Sequence, residues 1–513
     1  MNTTTTIIAV SALAFGLAQA TVNFPFPQNV DYGNGIEVSD KATAATQLKS
    51  AFNYYLTDKY KESGNYAAIE KDHGGNNYVS EGTGYGMLMM VYFSDNTTSY
   101  QDKFDKLWAF YKAGSNEHGL MNWSFGGLNP YDNKANAATD AEMDVAAALI
   151  MAAYQFGDDK YLDEARTLLK NVKKYEFEEN GLHKPGDAWN DKKNPSYIAP
   201  AYYRLFAAVD TDNATFWNTT AMNANYALLE TNSAEYSTGL FDNWSDASGK
   251  GLDKYYGYDA ARTPWRLAQD FYWFGETKAK TMLSKLGTWV SKYAASAMKG
   301  TIERSGNTMW NDHNSTFVAT LMTSLVTDDS RQSKLDEYWK EVASLGDEAY
   351  FEQSMKILCG LLVTGNMPNF TDKDGPKPSS SASQQGESSS SQEVSSASIQ
   401  PASSGSQGTD PQPISSNSVQ PSSSNGQAVS PDQDVEAIGS LAQSTIGLSI
   451  HGRILHINGI DAADVSVFDM QGRPVQIQHN VSGNMSLKDI ATGSYIVQIK
   501  TRNANLIRKI SVK

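Results

Sequence analysis

What most constrains this chain is an alternation between two kinds of helix. Between Thr21 and Phe370 the spacing of apolar residues predicts twelve helices, over about 40–61, 81–94, 100–113, 139–157, 159–174, 196–209, 213–231, 260–274, 276–298, 311–326, 331–344 and 348–364. Odd members such as YQDKFDKLWAFYK, YLDEARTLLKNVKKY and RQSKLDEYWKEV carry one charged face. Even members such as GYGMLMMVYF, MDVAAALIMAAYQF, STFVATLMTSLV and MKILCGLLV are apolar nearly all round. A helix apolar on every side must be covered on every side, so the even helices form an inner layer and the odd ones an outer layer. Six of each in alternation predict an all-α (α/α)6 barrel. An α-solenoid is the alternative, but no fixed-period self-similarity supports it. Within the sixth helix, Pro200 should break or restart the turn.

In such a barrel the inner helices run the same way and their N-termini meet at one end. The segments that open the even helices are rich in carboxylates, Gly and aromatics: YVSEGTGYG, AATDAEMD, KNPSYIAPAYYR, YYGYDAARTPWR, NDHNSTF and EAYFEQS. Six such segments on one face would line a single cleft. Each carboxylate also has a structural reading. Thr139 with Glu142 fits a capping box, which makes Asp140 a helix-start residue. Glu81 after Ser80 is then a first-turn carboxylate, and Asp259 either caps the eighth helix or pairs with Arg262.

Two or three carboxylates in an aromatic cleft suit glycosidic bond hydrolysis. One carboxyl donates a proton to the leaving oxygen, and a second, ionised, activates water or attacks carbon. Trp123, Trp189 and Tyr258, with Tyr350 of EAYFEQS, are the candidate substrate-binding aromatics; MNWSF and DAWND are polar contexts that favour loops over core. Other chemistries find less support: the seven histidines form no HExxH, the lone Cys359 sits in an apolar run as a buried thiol, and no GxxxxGKS or GxSxG is present. No cofactor and no metal are expected. With 42 basic against 57 acidic side chains the net charge is -15, which disfavours a nucleic-acid partner.

The runs VSEGTGYGM, ATDAEMDVA, NPSYIAPAYY, KYYGYDAARTPWR and LLVTGNMPNF resemble family 8 of the glycoside hydrolases, in particular its bacterial endo-β-1,4-glucanases. The resemblance spans about Val22 to Phe370 and implies an (α/α)6 barrel with an inverting mechanism. It implies Glu81 as general acid, Asp259 as base, and Asp140 as the carboxylate that holds the sugar at the cleavage point. Tyr197 and Arg262 resemble the groups that position the attacking water. A helix N-terminus lowers a carboxyl pKa, whereas a general acid needs it raised, so something must outweigh the dipole at Glu81. Xylan-active members carry a Pro-Asp-Gly-Glu-like motif where this chain has Thr139-Asp140-Ala141-Glu142, and chitosanases generally place the base elsewhere. Both departures favour a β-1,4-linked glucan; mixed-linkage glucan shares the same local bonds. A non-catalytic glucan-binding scaffold is the reading from another class.

Outside the helical region the composition shifts twice. Residues 1–20 hold an apolar stretch ending in Ala18-Gln19-Ala20, which reads as an export signal, although no Lys or Arg precedes it. Residues 379–430 hold 21 serines among 52 positions and no Lys or Arg, so this stretch reads as a flexible linker. Beyond it LSIHGRILHIN, ADVSVFDMQGRPVQIQ, GSYIVQIK and LIRKISVK alternate apolar and polar residues, predicting a small β-sandwich. VFDMQGRPV, LKDIATGSYIVQI and RKISVK resemble the C-terminal sorting domains of type IX secretion, which implies engagement of the secretion machinery and a secreted or cell-surface protein. A carbohydrate-binding module is the alternative, weakened by the absence of Trp. The expected organisation is a signal peptide (1–20), a catalytic domain (21–371), a linker (372–434) and an accessory domain (435–513). No segment reads as a membrane span.

Overall fold

The computed structural model describes residues 22–71, 76–131, 136–372, 447–451, 453–458, 463–468, 474–488, 490–500 and 505–512. The expected export signal and, apart from Asp372, the expected linker lie outside them. The chain divides into two units, Met1–Ser391 and Gln392–Lys513.

The first unit holds α1 (Lys41–Asp58), α2 (Ser80–Phe93), α3 (Gln101–Ala113), α4 (Thr139–Phe156), α5 (Lys160–Glu176), α6 (Pro200–Val209), α7 (Met222–Ala234), α8 (Thr263–Phe274), α9 (Thr277–Val290), α10 (Ser315–Met322), α11 (Gln332–Ser344) and α12 (Tyr350–Val363). Even-numbered helices touch one another in order: α2 packs on α4, α4 on α6, α6 on α8, α8 on α10, α10 on α12, and α12 returns to α2. Odd-numbered helices lie against this series, α3 on α2, α5 on α4 and α6, α9 on α8 and α10, and α1 on α12 and α2. Burial follows the sequence pattern. Every residue of α10 is buried, every residue of α4 except Tyr154, and every residue of α2 except Glu81. By contrast α5 buries one stripe: Tyr161, Ala165, Leu168, Leu169, Val172 and Glu176.

The glycines of SEGTGYGM have a packing cause. A glycine inside a helix costs roughly 0.5–1 kcal/mol relative to alanine, yet a Cβ on Gly84 would lie 2.8 Å from the Asp144 Cβ and 3.2 Å from the Ala141 carbonyl oxygen. Only a bare backbone lets α2 approach α4 this closely. The carboxylates at their two N-termini are brought together as a result.

Several expected helices differ at their ends. Pro200 does restart the sixth: a 3-10 turn (Pro195–Tyr197) precedes α6, which opens on that proline. The seventh opens through a π-helical segment (Phe216–Ala221), the ninth stops at Val290 before a separate 3-10 turn (Ala295–Ala297), and the tenth tightens to 3-10 geometry over Thr323–Thr327. Short antiparallel pairs were not expected. They are β1 (Tyr60–Ser63) with β2 (Tyr66–Ile69), β3 (Tyr78–Val79) with β4 (Ser124–Phe125), and β5 (Tyr255–Tyr256) with β6 (Ile302–Glu303).

In the second unit the strands are β7 (Gly447–His451), β8 (Ile454–Asn458), β9 (Ala463–Phe468), β10 (Pro474–Val481), β11 (Asn484–Ser486), β12 (Gly493–Lys500) and β13 (Asn505–Val512). They form a four-stranded sheet, order β10-β9-β12-β13, and a three-stranded sheet, order β11-β8-β7. Leu455, Ile457 and Met485 of the smaller sheet share one buried cluster with Val465, Val467, Val497 and Ile499 of the larger. The period-2 pattern read from the sequence is what supplies those inward positions.

Candidate active site

One half of the site stands on helix N-termini. Glu81 is the second residue of α2 and Asp140 the second of α4. Between them lies Arg262, 3% exposed, at the N-cap of α8. Its Nη1 donates to Glu81 Oε2 at 2.5 Å, to Asp140 Oδ2 and to the Tyr85 hydroxyl at 3.3 Å, while Nε donates to Ser196 Oγ at 3.2 Å. The second Glu81 oxygen accepts from the Tyr350 hydroxyl at 2.9 Å. Glu81 keeps 19% of its side chain exposed, a carboxyl at the mouth of a helix otherwise wholly enclosed.

Desolvation decides the state of Glu81. Burial pushes its pKa up; Arg262 pulls it down, Asp140 pushes it up again, and the result is about 7. The difficulty posed by the helix N-terminus is thereby outweighed. Asp140 is also raised by burial, with Arg262 acting against the rise.

The other half stands on loops. Asp259 lies four residues before α8 begins, and its Oδ2 accepts from the Trp244 indole at 2.9 Å. Trp244 sits 5.5 Å from Trp189 and 6.3 Å from Tyr197, with the Lys192 ammonium 3.8 Å from its ring centroid. The Trp244 loop is fastened by paired backbone bonds between Ser245 and Lys193, both 2.8 Å, just before the Asn194–Tyr197 turn. Asn243 Oδ1 accepts from the amides of Gly257 at 2.8 Å and Ala260 at 3.2 Å, which holds the chain on either side of Asp259. Tyr197 joins the halves: the Arg262 guanidinium lies 5.1 Å from its ring, and its phenol feels the charges of Asp140, Arg262, Glu81 and Asp259.

A second tier supports the helix-borne half. One turn below Asp140 and Arg262, Asp144 and Arg266 form a buried two-pronged ion pair at 2.6 and 2.7 Å between α4 and α8. Within range of the Asp140 charge, Glu142 and Glu176 are fully buried and act on each other, and burial raises both pKa values well above the usual carboxyl range. Glu142 accepts from the Tyr111 hydroxyl at 3.2 Å and the Met121 amide at 3.1 Å.

These contacts correct several structural readings of the sequence. The capping box at Thr139 and Glu142 does not form: Ala138 is the N-cap, Thr139 Oγ1 donates to the Lys184 carbonyl at 2.6 Å, and Glu142 is turned inward. Asp259 does not pair with Arg262, whose carboxylate partners are Glu81 and Asp140. Asp259 does not cap α8 either, since its side-chain bond goes to Trp244. Tyr350, expected as a substrate-binding aromatic, is 3% exposed and stacks near Tyr85, and its hydroxyl rather than its ring face meets Glu81. Trp123 and Trp189 are half-buried, Trp123 offering its carbonyl to the Ser80 amide at 3.0 Å. Tyr258 is 39% exposed, rests on Phe317 and accepts from Asn314 Nδ2 at 2.9 Å. Trp244, Tyr85, Ser196 and the Asp144–Arg266 pair went unread; only Trp244, in the polar context FDNWSD, had the loop signature used for the other tryptophans.

This arrangement of a raised carboxyl, a partner carboxylate and a loop carboxylate among aromatic rings is that of a glycoside hydrolase. The chain belongs to the glycosyl hydrolases family 8, whose model matches residues 23–366, and residues 444–513 match the secretion system C-terminal sorting domain. Endoglucanase A of Acetivibrio thermocellus is 32% identical over 375 residues, covering 69% of this chain and 77% of that protein. Endoglucanase 2 of Ruminiclostridium josui is 32% identical over 387 residues, covering 71% and 82%. Among solved structures, the apo β-1,3-1,4-glucanase from Paenibacillus sp. X4 superposes with a TM-score of 0.62 at 23% identity, over 67% of this chain and 98% of that one. Among the described residues no helix is long and apolar enough to cross a membrane.

Proposed function

We propose that the first unit is an (α/α)6 barrel that hydrolyses β-1,4-linked glucan internally and with inversion, and that the chain is exported through its C-terminal sandwich. The Ser-rich stretch serves as the tether between them. Endoglucanase relatives and the departures from xylan- and chitosan-type motifs support a glucan substrate. The observation that carries the catalytic reading is the setting of Glu81, one oxygen on the Arg262 guanidinium it shares with Asp140 and the other on the Tyr350 hydroxyl, where burial raises its pKa to about 7. Two carboxyls around one guanidinium leave one anion balanced, so the trio retains a proton, and Glu81 holds it on the side open to the cleft.

In this reading Glu81 protonates the leaving oxygen, and Asp259 removes a proton from the water that attacks the anomeric carbon. Asp140, its charge matched by Arg262, accepts hydroxyls of the sugar at the cleavage point. Tyr197, in reach of both halves, orients the water. Trp123, Trp189 and Tyr258 offer faces to flanking sugars. Sugar entering the cleft displaces water, which pushes Glu81 further towards the protonated form.

Incubation with cellulose derivatives, mixed-linkage glucan, xylan and chitosan tests the substrate. Internal cleavage of the β-1,4-glucan is expected, with α-configured first product by proton NMR before mutarotation. Initial β-anomer would exclude the inverting assignment, and no product from any polymer would favour a non-catalytic glucan-binding scaffold.

A further inference from the structure

Trp310 is 52% exposed, the most exposed of the ten tryptophans of the chain. An indole in water exposes a large apolar area, and such a ring grouped with other exposed apolar side chains marks a binding face. It does not stand alone. Tyr255 meets it edge to face at 6.2 Å and 82°, and Leu252, 56% exposed, lies three residues before Tyr255.

The patch is held rigidly. The Trp310 amide donates to the Gly300 carbonyl at 2.9 Å, and the Gly300 amide to Asp312 at 2.6 Å, closing the turn that follows β6. Tyr255 lies in β5, paired to β6 through Tyr255 with Glu303 and Tyr256 with Ile302. The patch is also continuous with the site described above. β5 runs directly into Gly257, Tyr258 and Asp259, and Asn314, four residues after Trp310, donates to the Tyr258 hydroxyl. Lys254 lies 5.5 Å from the Tyr255 ring centroid, Glu303 pairs across from Tyr255, and Asn311 follows Trp310 in the chain, groups suited to sugar hydroxyls rather than to an apolar partner.

We propose that Trp310 and Tyr255 form an outlying platform for the glucan chain, beyond Tyr258, which grips sugars that extend past the cleaved bond. This rests on the glucanase reading. A pyranose is apolar on its axial faces and polar at its rim, which an exposed indole flanked by an amide and charged groups complements. Because the platform lies outside the carboxylate cluster, it serves only substrates long enough to reach it.

The test compares full-length native chain, Trp310→Ala and Trp310→Phe on cello-oligosaccharides of increasing length and on a soluble glucan. The expected result for Trp310→Ala is unchanged kcat/KM on the shortest cleaved oligomer and a loss growing to about five- to tenfold on long ones, carried by KM. Trp310→Phe should recover part of the loss. A length-independent loss, or none at any length, overturns the platform, as does a change in sedimentation coefficient, which would make the patch a contact between copies. If the native chain cleaves no β-glucan, the substrate reading fails instead, so the two failures are distinguishable. As a second measurement, adding Trp310→Ala to Glu81→Gln should weaken retention on uncut soluble glucan in affinity electrophoresis; equal retention counts against the platform.

Discussion

The two halves of the site are built by different means. Glu81 and Asp140 project from the first turns of buried helices and Arg262 from the N-cap of another, and a second ion pair, Asp144 with Arg266, repeats their arrangement one turn below. Asp259 hangs from a loop and is held at its carboxylate by one indole, Trp244. The contrast suits the roles proposed for the two halves. A proton donor needs a dehydrated setting that raises its pKa, which helix packing supplies. A water-activating carboxylate needs access to solvent, which a loop supplies, at the cost of weaker positioning.

The largest effect should come from removing each half in turn. Glu81→Gln should lower cleavage of glucans by about 10²–10⁴-fold, since sugar leaving groups need a proton, yet spare much of the turnover of an aryl glycoside whose phenolate departs unaided. Asp259→Asn should depress both substrates, because water attack is required whatever leaves. The same asymmetry appears in pH. Glu81 titrates near 7, so glucan cleavage should fall as pH rises through about 7 while the activated glycoside is less affected. If Glu81→Gln costs both substrates equally in a protein with unchanged circular dichroism, Glu81 is not the acid.

How much of this was legible follows the same division. Helices without a polar face announced α2, α4, α10 and α12, and with them the convergence of Glu81 and Asp140 on one end. The partners of Arg262 were not legible, because Glu81 lies 181 residues away and Asp140 122, and a local i,i+3 reading offered Asp259 instead. Glu142 looked like a cap because sequence shows spacing and not the direction a side chain turns. The Trp244 tether spans 15 positions of mostly irregular chain, where no periodicity exists to reveal it.

The tether itself gives the next effect. Trp244→Phe keeps an aromatic ring against Trp189 and removes the indole donor to Asp259. A fall in kcat of roughly tenfold is expected, the size of one hydrogen bond to a charged group, with KM little changed. Because it acts through the base, the loss should be equal for glucans and activated aryl glycosides, the reverse of the Glu81 pattern. A loss restricted to poor leaving groups would place Trp244 in the service of Glu81, and unchanged kcat would show that Asn243 and the backbone alone hold Asp259.

The smallest effect concerns the support of the helix-borne half and reads out in stability. Glu142 on α4 and Glu176 on α5 are buried together, and their folded pKa values lie well above the ordinary 4.5. A carboxyl with a raised folded pKa contributes its full stability below its unfolded pKa. That contribution declines as pH climbs from about 4.5 towards the folded value, because the native state must either keep a proton the unfolded chain has released or bury a charge. Urea unfolding of the native protein should therefore show falling stability between pH 5 and 8. Glu176→Gln replaces one of the two interacting carboxyls with a neutral amide and removes its titration. Its stability should fall less steeply over the same range and exceed the native value at pH 8 by on the order of 1 kcal/mol. Parallel pH curves for the two proteins would mean that the pair titrates alike in folded and unfolded chains, and the enclosed half of the site would then owe its pH sensitivity to Glu81 and Asp140 alone.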